Sequence, residues 1–342
     1  MNNLSKIQKI ANRLIQLVIF VITYLFIYNQ VFHRTDLPGL LSGIKDDLLK
    51  PVFQIRLTII ILLMTVNWCI ETIKWRFLIA KVEQIGFFKA LQAVLAGVSI
   101  SSFTPNRIGE YFGRAFVLKK SRIEGILITL VGSMSQLLVT VIAGTISMLI
   151  FIPGWLVGTP FRHGFLYTGT IIFVLTLDIV LLALFFNLSF LGRFKKQIIR
   201  KRFKRIRKFF RIFAFYHNRE LATVLILSLA RYFVFSTQFF LLFRLFDVEI
   251  SYGNALVLIS LIYLVMAVIP TIALTELGIR GSVALYFFGL YFGHPYTGDD
   301  AYKAGVFAAS TLLWMINLGI PALIGTIFLF RLQFFRKNDE GN

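Results

Sequence analysis

Apolar blocks of 20 residues or so, separated by short cation-rich connectors, dominate this chain, and a block of that length can cross a bilayer as a helix. Six such blocks run Leu14–Phe32, Leu57–Ile79, Ile126–Phe151, Phe165–Phe190, Leu221–Phe243 and Val306–Phe330. A bilayer accepts helices because they satisfy their own backbone hydrogen bonds. Of the 342 residues, 57% are hydrophobic and 15% charged, too few charges to clothe a soluble domain of this length. The pattern predicts an all-α polytopic membrane protein with little room for a separate soluble catalytic domain. The first block follows Lys6, Lys9 and Arg13 but is not followed by a small-residue cleavage pattern, so an uncleaved helix is expected.

Two further apolar stretches, Phe87–Phe103 and Ala255–Ile269, are shorter, and each runs into a proline and then a charged motif. Cation placement decides how they are threaded. With the N-terminus in the cytoplasm and both stretches folded back as re-entrant hairpins, 27 of the 36 Lys and Arg lie on the cytoplasmic side and six outside. The remaining three, Arg231, Arg244 and Arg280, fall within or beside apolar segments. Making Phe87–Phe103 a full crossing would put Arg107–Arg122 and the cluster Arg193–Arg219 outside, against the positive-inside rule. The expected architecture is therefore about six full spans plus two hairpins, with both termini cytoplasmic, in the plasma membrane (the inner membrane of a bacterium).

The two hairpins carry related motifs. Pro105-Asn-Arg-Ile-Gly-Glu110-Tyr-Phe-Gly-Arg114 and Pro270-Thr-Ile-Ala-Leu-Thr-Glu276-Leu-Gly-Ile-Arg280 both read proline, four or five intervening residues, then Glu-x-x-x-Arg. Under the topology above, one hairpin enters from each side. Residues 1–155 and 160–342 then form two membrane repeats of opposite orientation. The first holds spans 14–32 and 57–79, hairpin 87–118 and span 126–151. The second holds span 165–190, the basic segment 193–211, span 221–243, hairpin 255–292 and span 306–330. Broken helices meeting near the midplane are the hallmark of inverted-repeat transporters.

Proline marks each hairpin tip, and Gly109, Gly113, Gly278 and Gly281 are expected to let the returning helices approach their neighbours. Glu110 with Arg114, and Glu276 with Arg280, share a helical face and can pair. Two readings stay open: structural ion pairs that neutralise the hairpins, or arginines that hold an anionic headgroup while the carboxylates orient them, answer an amine or carry a proton. Arg231 lies midway along its span, with Asp178 at similar depth in the preceding one as a possible partner. In the second span Asn67, Glu71 and Lys74 fall on one face, with Glu71 expected to point inward. Trp68 and Trp75 suit interfacial anchors, and Gln136, Gln238 and Asn317 suit interhelical hydrogen bonding. The candidate binding residues are thus Arg107, Glu110, Arg114, Glu276, Arg280, Arg231 and Glu71.

The segment 193–211 holds eleven cations interleaved with Phe and Ile at helical spacing. This basic amphipathic helix suits an anionic leaflet rather than nucleic acid. With one cysteine, Cys69, and four scattered histidines, neither an intramolecular disulfide nor a structural zinc site is expected. No cofactor is expected, and no P-loop pattern for nucleotide occurs.

The Pro105–Arg114 element, the preceding Asn67-Trp68…Glu71…Lys74-Trp75 segment and the Pro270…Leu277-Gly-Ile-Arg280 element resemble the lysylphosphatidylglycerol synthase transmembrane-region family. The resemblance spans nearly the whole chain and implies a flippase-like membrane domain. In the best-known members such a domain moves aminoacylated phospholipid beside a cytosolic aminoacyl transferase; other relatives belong to polyprenyl-linked sugar pathways. These 342 residues show no transferase, so lysyl transfer is not implied. The family's second element commonly has Glu directly after the Arg, where this chain has Gly281; Arg280 carries over, and Glu276 rests on this sequence alone. The leading expectation is a non-enzymatic flippase for a phospholipid or polyprenyl-phosphate-type lipid. A non-transporting scaffold in envelope or lipid-linked glycan assembly is the alternative, and a lipid-modifying enzyme is third. Nothing in the sequence indicates the oligomeric state.

Overall fold

The computed structural model of the protein describes residues 49–118, 122–155, 165–187, 215–271, 273–293 and 301–329, with isolated helical positions between Ile10 and Leu25. The expected span Leu14–Phe32 lies largely outside the described residues, and the basic segment 193–211 wholly so. Among the described residues every regular element is helical. In chain order they are α1 (Pro51–Ile79), α2 (Phe87–Ser101), a 3-10 turn (Pro105–Arg107), α3 (Gly109–Ala115), α4 (Arg122–Trp155), α5 (Phe165–Phe186), α6 (Asn218–Leu245), α7 (Tyr252–Val268), α8 (Ala273–Phe292), α9 (Ala301–Trp314), a π-helical turn (Met315–Gly319) and α10 (Ile320–Leu329). Five helical stretches are long and apolar enough to cross a membrane: α1, α4, α5, α6 and the run through α9 and α10. The two shorter apolar helices are α2 and α7. The protein is a multipass all-α membrane protein.

Local chemistry sets the breaks. Pro51 opens α1, where its missing N–H goes unneeded. Ser251 accepts a hydrogen bond from the Asn254 amide at 3.4 Å and caps α7. Ile269 leaves the helix for an extended conformation (φ −82°, ψ 117°), as the residue before Pro270 must. At the other tip, Asn106 (φ 48°) and Arg107 (φ 56°) are both left-handed. That conformation costs a non-glycine residue about 1–2 kcal/mol.

Both broken pairs fold back on themselves. A Cβ on Gly113 would lie 2.6 Å from the Gly97 Cα, and one on Gly109 would lie 2.5 Å from the Ile100 carbonyl oxygen, so α3 returns antiparallel along α2. In the second pair Asn254 of α7 donates to the Tyr291 hydroxyl of α8 at 2.8 Å. Gly281 packs its Cα face against the Phe307 ring, but Gly278 has open space where a Cβ would stand. The expectation of close approach at Gly278 is therefore not met: among the described residues nothing packs against that side of α8.

Long helices enclose the pairs. α1 and α6 run antiparallel, tied by Arg56 Nη1 to the Arg244 carbonyl (2.9 Å) and Gln238 Nε2 to the Ile60 carbonyl (2.9 Å). α10 crosses α2 where Ser99 Oγ donates to the Ala322 carbonyl and Gly325 meets the Leu95 carbonyl. α4 crosses α7 where Gly144 meets Leu264. Beside a small cluster of Ala96, Ile100 and Leu329, the apolar core holds two large ones. One is built around Trp75, Val94, Ile128 and Leu318, the other around Phe239, Phe243, Ile259 and Phe288.

Candidate functional site

A cavity of about 610 Å³ lies where the two broken pairs meet α1, α4, α6 and the π-helical turn. Its polar lining includes Glu71, Lys74, Arg107, Glu110, Arg231, Glu276 and Arg280, so six of the seven candidate residues line one space. The seventh, Arg114, sits directly behind it, paired to Glu71 and Glu110.

The two tips touch. The Asn106 amide donates to the Thr271 carbonyl at 2.9 Å, and the Thr271 amide donates to Asn106 Oδ1 at 3.2 Å. Next to this clasp, Arg107 Nη2 donates to both carboxylate oxygens of Glu276, at 2.8 and 2.9 Å. Glu276 also takes the expected bond from Arg280, four residues on.

Glu71 is the hub of the other cluster. Arg114 Nη1 reaches its Oε1 at 2.8 Å, while Arg231 Nη1 (2.7 Å) and Lys74 Nζ (2.9 Å) share its Oε2. Glu71 is 4% exposed, and one carboxylate holding three cations is workable there because each cation has other partners. Lys74 also donates to the Gly132 carbonyl and Ser228 Oγ, and Arg114 to Glu110. Arg231 Nε donates to Asn67 Oδ1 at 2.9 Å, and its guanidinium carbon stands 5.5 Å from the Trp68 ring centroid. Asn67 continues through Asn317 to Gln238, a buried amide ladder completed by the π-helical turn that carries Asn317. The expected interhelical roles of Gln238 and Asn317 hold. So does that of Gln136, through a long 3.5 Å contact to the Ser228 carbonyl.

Two expectations are corrected. Asp178 does not pair with Arg231; its Oδ2 accepts from Thr145 Oγ1 at 2.9 Å, across the α4–α5 contact. Trp68 and Trp75 are not interfacial anchors. Both are buried, Trp75 donating to Thr129 Oγ1 at 2.9 Å and Trp68 backing Arg231. Lys74, placed by its spacing on the face of Asn67 and Glu71 but not counted among the candidate binding residues, also lines the cavity.

Charge does not balance around the cavity. Among the described residues three carboxylates (Glu71, Glu110, Glu276) face five cations (Lys74, Arg107, Arg114, Arg231, Arg280), an excess of two positive charges. The cluster around Glu71 and Glu110 and the cluster around Glu276 contribute one unit each. Arg107 (side chain 42% exposed) and Arg231 (20%) are its most accessible members. The rim differs in kind: Leu130, Met134 and Leu137 of α4 and Val268 of α7 line the cavity and are exposed at the surface of the helix bundle. An oxyanion could sit among the guanidinium groups while an attached hydrocarbon chain left over this apolar rim. Among the described residues no group of three or more His, Cys, Asp or Glu side chains could hold a metal ion.

Residues 14–335 match the family model described as the lysylphosphatidylglycerol synthase TM region. No curated protein and no solved structure matches the chain.

Proposed function

Because the chain belongs to the lysylphosphatidylglycerol synthase transmembrane-region family, a membrane domain of the flippase-like kind, we propose that it binds a lipid with a phosphate-containing headgroup and passes it between leaflets. The observation that carries this reading is the excess of two positive charges in a cavity with an apolar, surface-exposed rim. Ion pairs serving only to neutralise the hairpins would balance, since uncompensated charge at membrane depth is expensive. An excess invites an anion, and the rim lets acyl or polyprenyl chains stay in lipid. Arg107, Arg231 and Arg280 hold the phosphate, Glu71 and Glu276 keep those arginines in place, and Glu110 fixes Arg114.

The packing supports two repeats of opposite orientation, 1–155 and 160–342. The first arm of each broken pair is crossed by a long helix of the other half, α2 by α10 and α7 by α4, with a glycine at each crossing. Alternating exposure then amounts to parting the tips on one side and then the other. The headgroup leaves unchanged, with no chemical step. The protein works in the plasma membrane with cytoplasmic termini, and segment 193–211 rests on its anionic leaflet.

The test is lipid movement in proteoliposomes containing purified protein, compared with empty vesicles and with Arg231→Gln. Protein-dependent movement of a phosphate-bearing lipid, reduced at least about tenfold in the variant, is expected from the loss of a charge-assisted contact worth about 1.5–3 kcal/mol. Absence of movement for phospholipids and polyprenyl phosphates alike would favour the scaffold reading.

A further inference from the structure

The size of the charge excess, and the way it divides, narrow the headgroup. We infer that the cavity takes a dianionic phosphomonoester headgroup in preference to a monoanionic phosphodiester, and that it rejects a cationic aminoacyl headgroup. This rests on the phosphate-lipid reading above.

Each of the two ion-pair clusters brings one uncompensated cation to the same cavity. On one side Glu71 and Glu110 meet Lys74, Arg114 and Arg231; on the other Glu276 meets Arg107 and Arg280. A phosphodiester headgroup carries one negative charge and would leave one cation unanswered. A phosphomonoester carries about −1.5 to −2 at pH 7 and presents three acceptor oxygens, enough to answer a cation on each side at once.

Donors are available for those oxygens. Nε and Nη1 of Arg231 are engaged by Asn67 and Glu71, which leaves its Nη2 without a partner among the described residues. Arg107 spends only Nη2 on Glu276. Nε of Arg280 and the hydroxyl of Tyr263 are buried without a hydrogen-bond partner, and both residues line the cavity. Arg280 is only 6% exposed, so water does not satisfy that donor cheaply. The left-handed Arg107 at the tip fits this role, since strained backbone of this kind persists where it positions a functional group. A lysyl ester on the same phosphate would bring further positive charge into a site already in excess, and like charges in a low-dielectric cavity repel.

The test is equilibrium binding to the purified full chain in detergent. Radiolabelled short-chain phosphatidic acid (a phosphomonoester) is competed with short-chain phosphatidylglycerol (a diester), lysylphosphatidylglycerol (cationic) and glycerol 3-phosphate (a monoester without chains). At pH 7.5 phosphatidic acid should bind at least about tenfold tighter than phosphatidylglycerol, with lysylphosphatidylglycerol weakest of the three lipids. At pH 5.5 the preference should fall to about threefold or less, because the second phosphate ionisation lies near pH 6. Arg107→Gln, at the half-exposed position, should narrow the preference at pH 7.5 to a similar ratio. The wild-type pH comparison decides the matter should that variant fold poorly. Equal binding of both phospholipids at both pH values, or tightest binding of the lysyl lipid, would overturn the inference; the first of these leaves the phosphate-lipid reading standing. Glycerol 3-phosphate competing as well as phosphatidic acid would overturn the lipid source of the monoester. Binding of no phosphate-bearing lipid would remove both readings.

Discussion

Arg107 and Glu276 stand 169 residues apart in the chain, yet one guanidinium nitrogen of the first lies within 2.9 Å of both carboxylate oxygens of the second. This pair joins the tip of one broken helix to the returning arm of the other, beside the mutual hydrogen bonds of Asn106 and Thr271. The candidate site is therefore a contact between halves rather than a property of either one.

Glu71→Gln should be the most destabilising of the carboxylate substitutions. It leaves Lys74, Arg114 and Arg231 crowded around a neutral amide, and breaking a buried pair from one side costs about 3–5 kcal/mol. Glu110→Gln should cost about 1 kcal/mol or less, because Glu110 is 20% exposed and Arg114 keeps Glu71. Thermal melting in detergent checks the order; a Glu110 variant melting below the Glu71 variant would contradict the hub assignment.

Gly113→Ala and Gly325→Ala should each destabilise by about 1–3 kcal/mol, since a Cβ at either position meets backbone of the neighbouring helix. Gly278→Ala should instead be neutral or stabilise by about 0.5–1 kcal/mol, because its Cβ position is open and the residue is helical. Melting temperatures of the three variants test the contrast. Lowering by Gly278→Ala equal to that of the other two would mean that α8 is packed on all sides.

Lys45→Cys and Lys204→Cys, made in a Cys69→Ser background, read the orientation. An impermeant maleimide added to intact cells should label the first position readily and the second only after the membrane is opened. The reverse pattern would place 193–211 outside and remove the cytoplasmic termini.

Much of this was readable from composition and spacing. Apolar block length marked the long helices, the prolines marked both breaks, and the three- and four-residue steps from Asn67 to Glu71 to Lys74 marked one inward face. What spacing could not supply was the partner across the fold. It paired Glu110 with Arg114 and Glu276 with Arg280, which the structure keeps, but it was silent on Glu71 with Arg114 and Arg107 with Glu276. Asp178 and Arg231 illustrate the limit: similar depth in the bilayer is one coordinate, and the direction each side chain takes around its helix is another. Trp68 and Trp75 were misread for a related reason. Tryptophan near a helix end suits the interface only when that end faces lipid, and this end of α1 is packed against α4 and α6.

The proposed movement of a lipid requires the tips to part, so the most direct measurement locks them together. Asn106→Cys with Thr271→Cys, again in the Cys69→Ser background, joins positions whose backbones already exchange a hydrogen bond. In proteoliposomes the reduced pair should move a phosphate-bearing lipid at near the wild-type rate. Oxidation to the disulfide should stop movement, and reduction should restore it. Undiminished movement with the disulfide shown to be formed would contradict passage of the headgroup between the two tips.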